Sequence, residues 1–167
     1  TPEYVTGFLA KRFRNIESED TGMAVIRMKS GALCQVEGTT ATSPRDHEAF
    51  FFISGAKGSV RIGLRKGIPG LDVRDENGKS RKMHYILEQM KTKGLSSFLS
   101  AGNPHYAIYQ DLYHSISVGK EPIADAESGL LSVSSVLAVY RSAKENRVIR
   151  LPMDQDFSTE EMIGFFD

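Results

Sequence analysis

The segment from Asn103 to Pro152 determines how the second half of the chain folds, and it reads NPHYAIYQDLYHSISVGKEPIADAESGLLSVSSVLAVYRSAKENRVIRLP. Asn103 followed by Pro104 indicates a helix start, because asparagine caps a first turn and proline fits the first helical position. At 100° per residue, one stripe of this helix about 60° wide carries four side chains. They are His105, Tyr109, Leu112 and Ile116.

A second helix, a short strand and a tail complete the segment. Asp125 can cap the helix, Asn146 is expected to end it, and Val148 to Leu151 predicts a strand that Pro152 terminates. The expected apolar stripe comprises Leu130, Val133, Leu137 and Tyr140, beside a small-sided stripe of Gly129, Ser132, Val136, Val139 and Ala143. Residues 153–167 are expected to form an amphipathic tail that docks through Phe157, Met162, Ile163, Phe165 and Phe166.

Strand signals dominate the first half. Tyr4 to Phe13 alternates loosely, and Met23–Met28 and Leu33–Val36 flank a short glycine turn, which predicts a hairpin. Ala49 to Ile53 is apolar on both faces, so we expect a central strand with both faces covered. Gly55-Ala56-Lys57-Gly58 then turns the chain into the strand Ser59–Leu64.

A further hairpin is predicted from Leu71–Arg74, the turn Asn77-Gly78, and Met83–Leu87. The short connections favour one largely antiparallel sheet of about seven strands. Because strands come first and helices later, the fold class is expected to be α+β, with the helices packed on one face of the sheet.

Composition excludes some functions. The 167 residues contain 21 basic and 21 acidic side chains, so the net charge is zero. A neutral chain without blocks of like charge has no field that would gather nucleic acid or an anionic membrane, and we expect neither partner. No apolar run approaches a membrane span. The single cysteine, Cys34, suits a reducing compartment, so a cytoplasmic location is expected.

The motifs of common cofactor and catalytic sites do not occur in the sequence. There is no Gly-x-Gly-x-x-Gly and no Gly-x-x-x-x-Gly-Lys-Ser/Thr, so no cofactor site is expected in this chain. The four histidines (His47, His84, His105 and His114) lack metal-ligand spacing. There is also no Gly-x-Ser-x-Gly, and the serines of the last helix suit packing better than nucleophilic catalysis.

Two polar features remain as candidate substrate-binding residues. His105 is expected near its helix start, where the dipole favours a neutral imidazole that could hydrogen-bond a hydroxyl. The alternative is a histidine at the edge of the core, bonded to a carbonyl. The loop from Thr40 to His47, with Arg45 and His47, is dense in polar side chains and could bind substrate or simply be a solvated hairpin end.

Four motifs in this order resemble the C-terminal domain of the Gfo/Idh/MocA oxidoreductases, the glucose–fructose oxidoreductase and inositol dehydrogenase family. The motifs are an acidic start and Gly-Ala hairpin (Glu19–Val36), a strand–Gly-x-x-Gly–strand turn (Ile53–Val60), a helix ending in a Gly-basic-x-Pro turn (His105–Pro122), and a closing helix and strand (Tyr140–Pro152). The match covers roughly residues 19 to 152.

The resemblance implies an NAD(P)-dependent hydride transfer on a sugar, polyol or related hydroxy or keto substrate. Residues 1–152 would form the substrate-side domain, with its open sheet face making a homo-oligomer, and the protein's own Rossmann domain would hold NAD or NADP. That domain, with the family's catalytic lysine and its Asp and His, has no counterpart here. Lys120-Glu121-Pro122 reverses the family's Glu-Lys-Pro order and is not read as that motif.

No catalytic residue is therefore assigned, and the chain alone is expected to be inactive. The candidate substrate-binding residues are Arg45, His47 and His105. The alternative is a stand-alone binding or scaffolding module of the same fold without chemistry.

Overall fold

The computed structural model describes residues 1–43, 45, 47–99 and 104–167, except for the side chains of 89, 92–99 and 104–107. Its elements, in chain order, are β1 (Pro2–Ala10), β2 (Thr21–Met28), β3 (Leu33–Thr39), β4 (Glu48–Gly55), β5 (Gly58–Arg65), β6 (Ile68–Asp75), α1 (Lys82–Leu99), α2 (Pro104–Val118), α3 (Ala126–Glu145), β7 (Ile149–Arg150) and a 3-10 helix (Thr159–Met162).

The chain divides into two compact units. The first unit contains Thr1–Ala41 and Glu121–Asp167, and the second contains Thr42–Lys120. Within the described residues the strands form two antiparallel sheets, with the orders β3-β2-β1-β7 and β4-β5-β6. The α+β class is confirmed, but the expected single sheet of about seven strands is wrong, because short local turns fix hairpins and not the pairing between hairpins.

The core of the first unit lies between its sheet and α3. Val5 of β1 and Ile26 of β2 are buried with Ala138 of α3, and Ile149 and Leu151 close the same cluster. These strands alternate between the two faces, so the side chains that point to the helix are apolar or small. The helix therefore packs on one face of its sheet, as the sequence predicts.

Local helix signals predict both ends of α3. The Asp125 carboxylate accepts the Ser128 N–H at 2.7 Å, and Asn146 ends the helix in the left-handed conformation with φ 56°. Pro104 is the first residue of α2, as expected, whereas Asn103 lies outside the described residues.

The predicted apolar stripe of α3 is wrong for Leu130 and Val133, whereas Leu137 and Tyr140 are half-buried. Its buried residues are Ser135, Ala138, Arg141 and Ser142, whereas Leu130 is 66% exposed and Val133 is exposed as well. The helix turns its small side chains inward because it lies very close to β1: a Cβ on Gly7 would be 2.7 Å from a methyl group of Val139. Large side chains at Ala138 or Ser142 would hold the two elements apart.

The second unit contains two departures from the sequence predictions. β4 is an edge strand of its sheet, and Phe50, Phe51, Phe52 and Ile53 are all more than half exposed, so the expected central strand with two covered faces is wrong. Hydrophobicity on both sides shows that a strand can be covered, but not that its own chain covers it.

The predicted strand Met83–Leu87 is also wrong, because these residues lie in α1. The Asn77-Gly78 turn does form, and the Asp75 carboxylate accepts the N–H groups of Asn77 and Lys79 at 3.1 and 3.0 Å. After one bridge between Arg74 and Ser80, the chain enters a segment rich in Leu, Met, Glu, Gln and Lys. Those residues favour helix over strand.

The tail, residues 153–167, is part of the first unit and packs within it. Phe157 and Met162 are buried, and the Lys144 ammonium lies 5.9 Å from the centre of the Phe157 ring. Ile163 is exposed, so only part of the expected amphipathic set is packed. Within the described residues no helix is both long enough and apolar enough to cross a membrane.

We expect Gly58→Ala to destabilise the second unit, because Gly58 has φ 131° and a Cβ there would lie 2.1 Å from the Arg74 carbonyl oxygen. Strain of this kind costs about 1–3 kcal/mol of unfolding free energy. Urea unfolding followed by circular dichroism measures it. Gly55→Ala in the same turn is the control, since its Cβ would meet no atom within 4 Å and should change stability by less than about 0.5 kcal/mol.

Candidate functional site

The predicted substrate loop connects the two units. Thr40 and Ala41 belong to the first unit, and the chain enters the second at Thr42. Arg45 is exposed in a turn, and its N–H donates to the Ser43 hydroxyl at 3.4 Å. His47 directly precedes β4, and its carbonyl accepts the Lys66 N–H at 3.3 Å. Arg45 and His47 therefore lie two residues apart at one end of the second unit's sheet, and their role in substrate binding stays a prediction.

His105 lies in the first turn of α2, and its side chain is outside the described residues. The stripe predicted to carry it is exposed further along the helix: Tyr109 is 69% exposed, and Leu112 and Ile116 are also exposed. Ser115 is buried instead. The part of this stripe that the structure describes is therefore exposed, and Ser115 lies on a different face of α2.

Sequence reasoning missed a carboxylate that organises the loop between β1 and β2. Asp20 is 2% exposed, and its Oδ2 accepts the N–H groups of Arg12, Phe13 and Arg14 at 2.8, 2.6 and 2.9 Å. The Thr21 hydroxyl donates to its other oxygen at 3.1 Å. A single side chain thus satisfies three successive backbone donors, which forms an anion-binding nest that already contains its anion.

This nest also positions the beginning of the candidate loop. The Arg14 guanidinium donates from Nε and a terminal nitrogen to the Thr40 carbonyl at 3.1 and 2.7 Å, and the Thr40 N–H donates to the Asp20 carbonyl at 2.8 Å. At Thr40, where the loop that carries Arg45 and His47 begins, both the backbone C=O and the backbone N–H are therefore hydrogen-bonded.

The hydrogen bonds to Asp20 keep it ionised. The N–H groups of Phe13 and Arg14, against the opposing effect of burial and with help from Arg12 and Thr21, lower its pKa from 3.8 to about 2. Backbone donors favour the charged form of a carboxylate. Asp20 is therefore a fixed negative charge at physiological pH, and it does not serve as an acid or base.

The closing motif Tyr140-Arg141-Ser142 is structural. The Tyr140 hydroxyl donates to Glu19 Oε1 at 2.5 Å; burial and this partner raise its pKa to about 12. Arg141 is buried and donates to Glu145 and Asp154 at 2.8 and 2.9 Å. These contacts fasten α3 to the loop before β2 and to the segment after β7.

The sheet of the second unit has two unlike faces. Its register places opposite residues on the same side, so alternate positions of β4, β5 and β6 form each face. We call one the apolar face; it consists of Ala49, Phe51, Ile53, Val60, Ile62, Leu64, Pro69, Leu71 and Val73. We call the other the charged face; it consists of Glu48, Phe50, Phe52, Ser54, Ser59, Arg61, Gly63, Arg65, Ile68, Gly70, Asp72 and Arg74.

Among the described residues, the structure shows exposed loops and sheet faces but no cluster of metal-ligating side chains. In residues 1–43, 45, 47–99 and 104–167, no three His, Cys, Asp or Glu side chains come together as metal ligands. The strongly shifted groups, Asp20 and Tyr140, are both held by hydrogen bonds that fix loops and helices. The shifted pKa values of Asp20 and Tyr140 therefore result from structural hydrogen bonds and do not identify an acid–base pair.

Comparison with known proteins places the chain in a family. Residues 2–151 match the family described as the oxidoreductase family, C-terminal alpha/beta domain. No curated protein matches the chain.

Several solved structures are similar. One is the WlbA dehydrogenase of Bordetella pertussis in complex with NADH and UDP-GlcNAcA, with 28% identity, a TM-score of 0.64, and coverage of 92% of this chain and 40% of that one. Another is the WlbA dehydrogenase of Chromobacterium violaceum in complex with the same two molecules, with 29% identity, a TM-score of 0.67, and coverage of 92% and 41%.

An oxidoreductase of Agrobacterium radiobacter, in complex with NAD+, L-tartaric acid and magnesium, shares the fold. Its identity is 21% and its TM-score 0.58, with coverage of 89% of this chain and 43% of that one. The chain spans about two fifths of the length of the solved structures it matches.

Because the pKa of Asp20 is lowered in the folded state, the stability of the fold depends on pH in the acid range. Because the folded-state pKa of about 2 lies below the ordinary 3.8, the unfolded chain binds more protons between these values. The contribution of Asp20 is therefore present above pH 3.8 and is lost as the pH falls through 2. We expect Asp20→Asn to lower the Tm at neutral pH and to flatten its fall over that acid range. Asp156→Asn, at an exposed carboxylate, is the control; equal pH profiles for both variants would contradict the assignment.

Proposed function

The chain belongs to the Gfo/Idh/MocA-type oxidoreductase family as its C-terminal alpha/beta domain, and we propose that it is the substrate-side and oligomerisation domain of an NAD(P)-dependent oxidoreductase. The observation that carries the proposal is its similarity, over most of its length, to dehydrogenases solved with NADH and a nucleotide sugar. The proposed substrate is a sugar or a related hydroxy or keto compound, and a UDP-linked sugar is the first to test.

The division of labour follows from what the described residues offer. They supply loops, sheet faces and fixed charges, whereas hydride transfer requires a bound nicotinamide and a proton acceptor aligned with the substrate. We propose that a separate Rossmann domain of the same protein binds NAD or NADP and carries the acid–base residues. This chain then contributes one wall of the substrate cleft and is inactive alone.

Three residues are proposed to form that wall: Arg45, His47 and His105. Arg45 is exposed and offers a planar set of donors suited to a carboxylate or phosphate. His47 and His105 can donate to or accept from sugar hydroxyls when neutral. The well-held backbone at Thr40 supports this role for the loop, since binding loops work best when a rigid scaffold positions them.

A stand-alone binding module of the same fold is the alternative. It would use the same surfaces, but the gene would encode no further domain. Intact mass of the protein from its native source separates the two, since an enzyme of this family needs about 120–200 additional residues for a dinucleotide-binding domain.

The enzyme proposal is tested with the full-length protein. We expect it to reduce NAD+ or NADP+ in the presence of a UDP-sugar, whereas calorimetry on the 167-residue chain alone should show no binding of NAD. Arg45→Ala and His105→Ala should each raise KM by about tenfold with little change in kcat, as loss of substrate binding does. Lys57→Ala, in the exposed β4–β5 turn, is the control. Micromolar NAD affinity of the chain alone would contradict the division of labour.

We also propose that the apolar face joins two copies of the chain. Phe51 on this face is 59% exposed and Ile62 is 52% exposed, so its β4 side is open, whereas Val60, Leu71 and Val73 are half-buried. Exposed apolar faces of this kind mark contact surfaces. A second copy is the proposed occupant because the family resemblance assigns the open sheet face to subunit contact.

Sedimentation measures this self-association. We expect the chain to form an oligomer at concentrations on the order of tens of micromolar. Phe51→Glu should shift it to monomer, because a carboxylate would be buried without a partner in the interface. Phe52→Glu, the neighbouring residue on the charged face with a similar exposure of 55%, should not. A monomeric wild-type chain at these concentrations would contradict the proposal.

A further inference from the structure

The charged face contains a hollow of about 270 Å³. Its floor is the row Phe50–Gly63–Gly70, in which the two glycines leave the middle of the sheet without side chains. A Cβ on Gly70 would meet no atom nearer than the Gly63 carbonyl oxygen at 4.0 Å, so the space above it is open. A Cβ on Gly63 would lie 2.2 Å from the Ala49 carbonyl oxygen, so β5 requires glycine there.

Arginine and phenylalanine build one wall. The Arg61 guanidinium lies over the Phe50 ring, 4.0 Å from its centre, and a terminal nitrogen donates to Glu48 Oε1 at 2.8 Å. The cation–π contact and the one ion pair both hold the guanidinium and restrict the movement of this long side chain. The wall is therefore preformed, and a ligand need not order Arg61 on binding.

Both carboxylates at the hollow already have a cationic partner. Glu48 accepts from Arg61, and Asp72 accepts from Arg74 Nε at 2.9 Å. Each carboxylate therefore attracts a further cation less strongly than an unpaired carboxylate would. Any additional cation at the hollow therefore has no hydrogen-bonded carboxylate of its own, although Arg65 lies opposite Glu48 across the β4–β5 pair.

Two such charges are present. Arg65 at the end of β5 and Lys82 at the start of α1 both line the hollow and are exposed. Within the part of the chain that the structure describes, neither side chain makes an ion pair or a hydrogen bond. They come from different elements, and both belong to the lining of this one hollow.

We propose that this hollow binds a phosphate-bearing small molecule, with Arg65 and Lys82 contacting the phosphate and with Phe50 and Ile68 against the uncharged part. A phosphate fits the arginine fork and also takes a lysine as a point charge. It carries nearly two negative charges, which suits two cations that have no bonded carboxylate in a lining with more cations than carboxylates. The volume accommodates a phosphate with a single ring rather than a large ligand.

A nucleic acid does not suit the hollow. The chain has no net charge, and the hollow is a local depression rather than a basic stripe that could follow a phosphate backbone. The second depression on the protein, of about 460 Å³, lies in the first unit and is lined by Lys29 and Arg150 among others, so it provides an internal comparison.

The probe is inorganic pyrophosphate, titrated calorimetrically into the chain in low-salt buffer. We expect a dissociation constant on the order of 1 mM or below, and at least tenfold weaker binding by the double variant Arg65→Ala/Lys82→Ala. Gly70→Val should weaken binding as well, because its side chain fills the hollow while leaving every charge in place. Circular dichroism of each variant confirms that the fold is retained.

Lys29→Ala/Arg150→Ala is the charge-matched control and should bind as wild type does. Failure of wild type to bind, equal losses in both double variants, or tighter binding of glucuronate than of pyrophosphate would each overturn the proposal. Binding here requires neither NAD nor a second domain, so these results are independent of the dehydrogenase activity of the full-length protein.

Discussion

The close approach of α3 to β1 is the contact on which the first unit depends. The Gly7 N–H donates to the Ser142 hydroxyl at 3.1 Å, and that hydroxyl donates to the Arg147 carbonyl at 2.7 Å. The buried Ser142 side chain thus connects β1, α3 and the residues that directly follow α3. Because buried polar groups must be paired, the three elements are fixed relative to one another and not merely packed.

Several features of the fold depend on this contact. Ala138 and Val5 can be buried together only when the helix lies this close, which explains why small residues face inward and Leu130 and Val133 do not. Tyr140 and Arg141, next along the helix, then reach Glu19 on one side and Asp154 on the other. A motif of three consecutive residues therefore holds parts of the chain that are more than a hundred residues apart.

The sequence predicted those parts of the fold that local chemistry determines. The ends of α3 follow from Asp125 and Asn146, and the β2–β3 hairpin follows from its turn, since each signal and its partner lie within a few residues. The α+β class and the oxidoreductase family were also predicted correctly.

The partition into two sheets was not predicted, because the pairing between hairpins is decided by contacts far apart in the chain. Met83–Leu87 was misassigned because an Asn-Gly turn suggests a hairpin even when good helix formers follow it. For the site, Arg45, His47 and His105 remain predictions. Asp20 was noted only as part of the acidic start before the β2–β3 hairpin; its role was missed because no sequence pattern links it to N–H groups six to eight residues earlier.

Strand β5 alternates Val60, Ile62 and Leu64 on one side with Arg61, Gly63 and Arg65 on the other. A strand of this kind can change one surface without disturbing the other, since neighbouring residues never share a face. Substitutions can therefore accumulate separately on the two sides, so the chemistry of one surface can change while the other surface stays the same. The same alternation leaves no tolerance for an inserted residue: a shift by one position would exchange the two surfaces at once.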